Sequence, residues 1–340
     1  MKRLFALLIG ASLLQNAVAT TLLDDAGQHV EIPDKVHRVA DAWYAHHALL
    51  MTLGAGGSIV ETVNHERSRP WMFLVQPSLK QAASVNGTAF NAESLLADKV
   101  DLVFVSTGDR NASAYRQVGL PVVSVGFNDL DGLAHSMTMT AHAMGTPSAL
   151  KRANDYNAYL AGKRTHLADV LGSLPESERP RVLHIASLNP LKVDGDGTLI
   201  DDWIKVSGGR NAATGLSGNL QVVSAEQLLQ WQPDVIILAA DAGDIEQSPA
   251  RPLLENLKAV RNQQVLRNPA GVFPWDRYGT EMALQIQWAA QQLHPGLFKD
   301  TDMVSETMGF YQRFFDYPLG QEQAKRMLAG LGPVAPSLDQ

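Results

Sequence analysis

A proline-free run of about 24 residues, Ser148 to Leu171, broken only by Gly162, separates two chain segments of similar length. As a continuous helix it would reach about 36 Å at 1.5 Å per residue. On either side, short apolar runs alternate with amphipathic stretches, the pattern of parallel α/β layers. Before the run, Val36–Asp41, Ile59–Val63, Asp101–Val105 and Pro121–Val125 read as strands, and Trp43–Leu53, Arg110–Val118 and Leu130–Met144 as helices. Thr20 to Pro33 reads as a hairpin about the turn signal Asp25-Ala26-Gly27. After the polar, proline-bounded stretch Pro175–Pro180 the rhythm restarts. Arg181–Ala186, Val235–Ala239 and Gln264–Arg267 are then the expected strands, and Thr198–Val206, Thr280–Leu293 and Met303–Asp316 the expected helices. The pattern predicts two α/β lobes braced by one stiff helix across a cleft. The alternative is that the helix packs within one domain.

Length agrees with two domains, since 340 residues exceed the usual size of one. The first residues have the layout of an export signal: Lys2 and Arg3, the apolar run Leu4–Leu14, and Ala17-Val18-Ala19 as a small-residue cleavage site. That run is shorter than the roughly 20 residues needed to span a bilayer. The divisions expected are a signal peptide at 1–19, a first lobe at 20–147, the bridging helix at 148–172, a second lobe at 173–318 and a tail at 319–340, the tail partly ordered at best. The formal charge is −7, and becomes −9 without Lys2 and Arg3. An acidic chain with no basic cluster is poorly suited to nucleic acid. The chain has no cysteine, which removes disulfides, iron–sulfur clusters and thiolate metal sites.

One internal echo ties the halves together. Asn91-Ala92-Glu93-Ser94-Leu95-Leu96 leads through Asp98–Asp101 into the apolar run LVFV, and Val223–Leu229 leads through Gln232-Pro233-Asp234 into VIIL. Each unit has a polar cap, a glutamate in the first helical turn, a leucine pair, a tight turn with aspartate and a buried strand. A carboxylate at a helix N-terminus is locally stabilised by the helix dipole, which by itself accounts for Glu93 and Glu226.

In this order, four segments resemble the periplasmic binding proteins that carry siderophores, haem and vitamin B12: the opening Asp24–Val39, NAESLLADKVDLVFV, IDDWIKVSGGRNAA (Ile200–Ala213) and VSAEQLLQWQPDVIIL. The likeness runs from about residue 20 to 318. It implies a class III periplasmic-binding-protein fold, in which two Rossmann-like lobes are joined by a single rigid helix and close little. It also implies a function: the periplasmic, monomeric solute-binding component of an ABC importer, with a permease dimer and its ATPase subunits as partners. Glu93 and Glu226 match the positions at which this family places one exposed glutamate per lobe against permease arginines. No cofactor of its own is implied; the metal belongs to the bound ligand, a ferric siderophore or related iron complex, with a nickel or cobalt chelate, haem or cobalamin as alternatives.

In such an architecture the solute sits at the carboxyl ends of the strands. The loops expected there carry Trp43, Tyr44 and His46; His65, Arg67, Arg69 and Trp71; Arg110; Asn189; and Trp275, Arg277 and Tyr278. Aromatic faces stack on flat chelates, and arginine forks match carboxylate or catecholate oxygens. The competing account is that the tryptophans pack the core and the arginines are solvated. His46 and His65 are candidate metal ligands, since imidazole binds several transition metals. Adjacent His46 and His47 cannot easily face one ion together.

An enzyme and a sensing module on the same fold are the rival classes. The sequence contains no G-x-S-x-G elbow, Walker loop or G-x-G-x-x-G. Gly54–Gly57 reads as a helix end and turn, and Asp194-Gly195-Asp196-Gly197 as a turn without the later glutamate of a calcium loop.

Overall fold

A computed structural model describes residues 20–87 and 89–334. The expected signal peptide lies outside the described residues. No described helix is long and apolar enough to cross a membrane.

The first lobe contains the antiparallel hairpin β1 (Thr20–Leu23) and β2 (His29–Ile32). Its sheet is formed by β3 (Val39–Asp41), β4 (Ile59–Thr62), β5 (Ala83–Ser84), β6 (Leu102–Ser106) and β7 (Val122–Val125). These five strands are all parallel, in the order β5-β4-β3-β6-β7. The second lobe holds β8 (Arg181–Leu188), β9 (Leu191–Val193), β10 (Arg210–Asn211), β11 (Gln221–Val222), β12 (Val235–Leu238) and β13 (Val265–Arg267). Here the order is β11-β9-β8-β12-β13, with β10 also on β8. The β8, β10, β12 and β13 strands run parallel, while β9 returns from β8 as an antiparallel hairpin. Strands β6 and β12 are buried throughout apart from the half-buried Ser106, as expected of parallel strands covered on both faces.

The sequence echo has a structural counterpart. Asn91 caps its helix by accepting from the backbone N–H groups of Glu93 and Ser94, and Ser224 forms a capping box with Gln227. Lys99 and Gln232 both turn the chain in the left-handed region, at φ 52° and 41°. Asp101 then accepts from the N–H groups of His37 and Arg38, and Asp234 from that of Arg181. In each lobe the aspartate before β6 or β12 thus anchors the start of the neighbouring central strand, β3 or β8.

The long helix runs from Pro147 to Leu171, with proline in its first turn and Thr146 as N-cap. It buries Ala149, Ala153, Tyr156, Leu160, Leu167 and Leu171, a stripe at helical spacing. Its polar groups bind both lobes. Arg152 donates to the Thr52 carbonyl in the first lobe and to the Phe314 carbonyl in the second. Asn157 donates to the Ala134 carbonyl, whereas Tyr156 donates to that of Thr280 at 2.8 Å. Lys163 reaches Glu306 and Arg164 reaches Asp131. One core cluster therefore continues through both lobes and the helix. Each sheet's outer face has a smaller core of its own.

The tail holds a helix that the pattern did not predict. Gln321–Leu328 is a helix that buries Ala324 and Met327, and the chain remains described to Val334. Its strong amphipathic pattern lies in a short segment close to Gly- and Pro-rich sequence, which masked it.

Candidate functional site

A cavity of about 490 Å³ opens between the lobes. Its lining follows the carboxyl ends of β3, β4, β8, β12 and β13: Trp43, Tyr44 and Arg69 from the first lobe, and Ala186, Asn219, Asp241, Phe273, Asp276, Arg277 and Tyr278 from the second. The volume falls within the roughly 300–1,000 Å³ of small-molecule sites. Two larger depressions, of about 540 and 750 Å³, flank the long helix and the outside of the second lobe. Neither is lined by an aromatic side chain.

Strand β3 ends at Asp41, a fully buried carboxylate that shapes the next turn. It accepts from the Trp43 N–H and lies 3.0 Å from a ring nitrogen of both His46 and His47. Burial pushes its pKa up, but the two histidines outweigh that and hold it well below the usual carboxylate range. The turn places Trp43 in the cleft, where it packs against Phe127 at 5.6 Å and Tyr278 at 5.7 Å between ring centroids. With Phe127 and Tyr278 also in contact, three rings from two lobes form one wall.

Asp276 and Arg277 of the lining belong to a buried charge ladder. His184 of β8 is fully buried and bonds Asp194 through Nδ1 at 2.8 Å and Asp276 through Nε2 at 2.7 Å. Arg277 adds two hydrogen bonds to Asp194, at 3.1 and 3.2 Å. Burial lowers the His184 pKa, but hydrogen bonds and charge from the two aspartates raise it above its ordinary value. The charges in this ladder therefore compensate one another.

Arg69 differs. Its guanidinium lies 4.9 Å from the Phe273 ring centroid and makes no ion pair among the described residues. One nitrogen donates to the Ser68 carbonyl, while the buried Nε has no partner. Burial lowers its pKa, opposed by Asp241, Asp276 and Tyr44.

Below the cleft, fully buried Glu281 accepts from the backbone N–H groups of Val272 and Phe273, from Trp275 Nε1 and from the Tyr311 hydroxyl. It holds the loop that presents Phe273 and Pro274. Burial nevertheless pushes its pKa up to about 7 against these donors.

The cleft thus gathers Trp43, Tyr44, Arg69, Arg277 and Tyr278. The other candidates lie elsewhere. Trp71 and Trp275 are buried, and their indole N–H groups are spent on the Leu331 carbonyl and on Glu281. His46 is fully buried, its ring nitrogens bonded to Asp41 and Thr140. His65 is half-buried and bonds the Val85 carbonyl. Neither histidine faces the cleft, because each ring turns inward to satisfy buried polar groups. No described cluster of three histidine, aspartate or glutamate side chains could hold a metal ion. Arg67, Arg110 and Asn189 are exposed on loops and do not line the cavity.

Sequence reasoning missed Phe127, Asn219, His184, Asp194 and Asp276. A histidine inside the apolar run VLHI was a usable signal, since a buried imidazole needs partners. Nothing local marks Phe127 or Asn219.

Comparison with known proteins agrees with this architecture. The sequence model described as "Periplasmic binding protein" matches residues 47–270. The chain is 24% identical to the molybdate-binding protein MolA of Haemophilus influenzae, covering 96% of this chain and 99% of that one. It is 26% identical to the Fe(3+)-citrate-binding protein YfmC of Bacillus subtilis over 182 residues, or 52% of this chain and 55% of the relative. Among solved structures, MolA bound to molybdate superposes with a TM-score of 0.77 at 23% identity, covering 88% and 99% of the two chains. A periplasmic solute-binding protein of Veillonella parvula gives the same TM-score at 22% identity, covering 91% and 96%. The family match spans well over half of the residues and includes most of the elements that build the cleft, so the chain belongs to the periplasmic binding protein family.

Proposed function

We propose that the protein is the solute-binding component of an ABC importer and captures a small anionic metal species, an oxyanion or a compact anionic chelate, in the interlobe cleft. The carrying observation is Arg69: a half-buried cation with no carboxylate in ion-pair range among the described residues and a buried Nε without a partner. Burying an unpaired charge is costly, and a ligand oxygen arriving at that fork removes the cost. Tyr44, Trp43 and Tyr278 supply aromatic faces and polar tips around it. The relatives named for molybdate and for Fe(3+)-citrate both take oxygen-rich anions, which favours this class over haem or cobalamin. Direct metal ligation by His46 or His65 is not part of the proposal.

Export to the periplasm through a signal at residues 1–19 belongs to the same reading. So does docking on a permease through Glu93 and Glu226, both exposed in the first turn of their helices, one on each lobe. Metal analysis and native mass spectrometry of protein purified from the periplasm test the cargo class. Titration with molybdate, tungstate, sulfate and ferric citrate, followed by calorimetry, tests the site. Arg69→Ala should weaken binding by about 10- to 150-fold, the worth of charged hydrogen bonds of about 1.5–3 kcal/mol. Equal affinity of parent and variant would remove the cleft assignment.

A further inference from the structure

We infer that the segment following the Gln321–Leu328 helix is a second tether between the lobes, and that Trp71, held by it, is a positioning residue for Arg69. The first part rests on contacts alone; the second also rests on the proposal that Arg69 meets the ligand.

The tether is anchored to the second lobe. The Met327 carbonyl accepts from the Ala270 N–H. Gly330 then reverses the chain at φ +68°, so close to the Asn268 carbonyl that a Cβ would lie 2.8 Å from it. Both the backbone angle and the approach require glycine. Two bonds close the turn on itself: the Leu331 N–H donates to the Arg326 carbonyl, and Arg326 Nε donates to that of Gly332 at 2.8 Å. Its far side meets the first lobe. The Leu331 carbonyl accepts from Trp71 Nε1 at 2.9 Å, across 260 residues of sequence. Trp71 is 2% exposed, so the donor is buried, while the acceptor residue Leu331 sits at the surface.

The consequence lies next door. A small cavity of about 160 Å³ is lined by Arg69, Pro70 and Trp71 from the first lobe, Asp241 and Pro274 from the second, and Leu331 of the tether. Arg69, Asp241 and Pro274 line the main cleft as well. Arg69 therefore stands between the cleft and the tether, two residues before Trp71. Its guanidinium is held weakly by hydrogen bonding, through the adjacent Ser68 carbonyl alone. The tether supplies what those bonds lack: through Trp71 it fixes the start of the short helix Pro70–Val75, which Arg69 directly precedes.

The absence of cysteine makes the test direct, because Ser94→Cys and Gln230→Cys place single exposed labels on the two lobes. Spin-label distance distributions are recorded on ligand-free protein, full length and ended after Ala329. The shortened chain should give a broader or shifted distribution; an unchanged one overturns the tether. Trp71→Phe keeps most of the ring and removes the donor. It should weaken molybdate or ferric citrate binding by about fivefold, as for one lost hydrogen bond, and should have no further effect in an Arg69→Ala background. An undiminished effect in that background overturns the positioning role, as does full affinity of Trp71→Phe. If the parent protein binds none of these anions, the cargo assignment and the positioning role fall together, and the distance measurement still decides the tether.

Discussion

Glu281→Gln should flatten the pH dependence of folding stability. Glu281 is fully buried, and its folded-state pKa is pushed up from 4.5 to about 7 by burial, against the hydrogen bonds from Tyr311, Phe273, Val272 and Trp275. A raised carboxyl pKa means that the folded protein holds a proton the unfolded chain has already released. Stability is therefore highest in acid and falls as pH rises from about 4.5 through 7, then levels. At 1.36 kcal/mol per pKa unit, this residue should remove about 2.5 kcal/mol between pH 5 and pH 8. The glutamine variant has no such proton. It carries a pH-independent cost of about 1–3 kcal/mol instead, because an amide NH2 would replace one of the two acceptor oxygens. The assay is urea unfolding of parent and variant at pH 5, 6, 7 and 8. A core shared by both lobes should give one transition. The stability difference in favour of the parent should shrink by about 2.5 kcal/mol over that range, and subtraction removes the other titrating groups. Parallel profiles would refute the argument, showing that the buried carboxyl does not titrate there.

Further outcomes follow from the same geometry. Removing the buried ring by His184→Ala leaves Asp276 without its hydrogen-bond partner and Asp194 with Arg277 alone, and should cost about 3–5 kcal/mol in chemical unfolding, whereas Asn189→Ala on an exposed loop should stay within about 0.5 kcal/mol. Tyr156→Phe should cost about 1–3 kcal/mol by the same assay, since it strands the buried Thr280 carbonyl at the bridging helix. Glu93→Ala combined with Glu226→Ala should abolish uptake by the reconstituted importer while leaving ligand affinity unchanged, because both side chains are exposed and away from the cleft; loss of affinity would count against docking.

Much of the scaffold was legible because its signals are local. The Leu130–Met144 helix matches its expected bounds, and the long helix begins one residue early, at Pro147. Polar caps at Asn91 and Ser224 and the apolar runs of β6 and β12 act over a few residues, so pattern reading finds them. The site was less legible. Trp43, Tyr44, Arg69, Arg277 and Tyr278 line the cleft, yet Trp71 and Trp275, expected on equally plausible loops, are buried in the core, Trp71 within the helix Pro70–Val75. One residue along a tight turn reverses a side chain, as the sequence Trp275-Asp276-Arg277-Tyr278 shows: the first two are fully buried and the last two half-buried.

Alternating strands and helices, a proline-free run long enough to bridge two lobes, and a repeated cap–helix–strand unit were determined by the sequence, since each depends on spacing and propensity within a few turns. Tertiary structure decided which charges became neutralised. His184 meets Asp194 and Asp276, Arg277 meets Asp194, and Arg69 is left facing the cleft without a carboxylate partner. Those partners lie 10, 92 and 83 residues apart in the chain. Coulombic and hydrogen-bond energies depend on separation in space, which for the ladder exists only once the second lobe has folded, and for Arg69 only once the first lobe is packed beside Phe273 of the second.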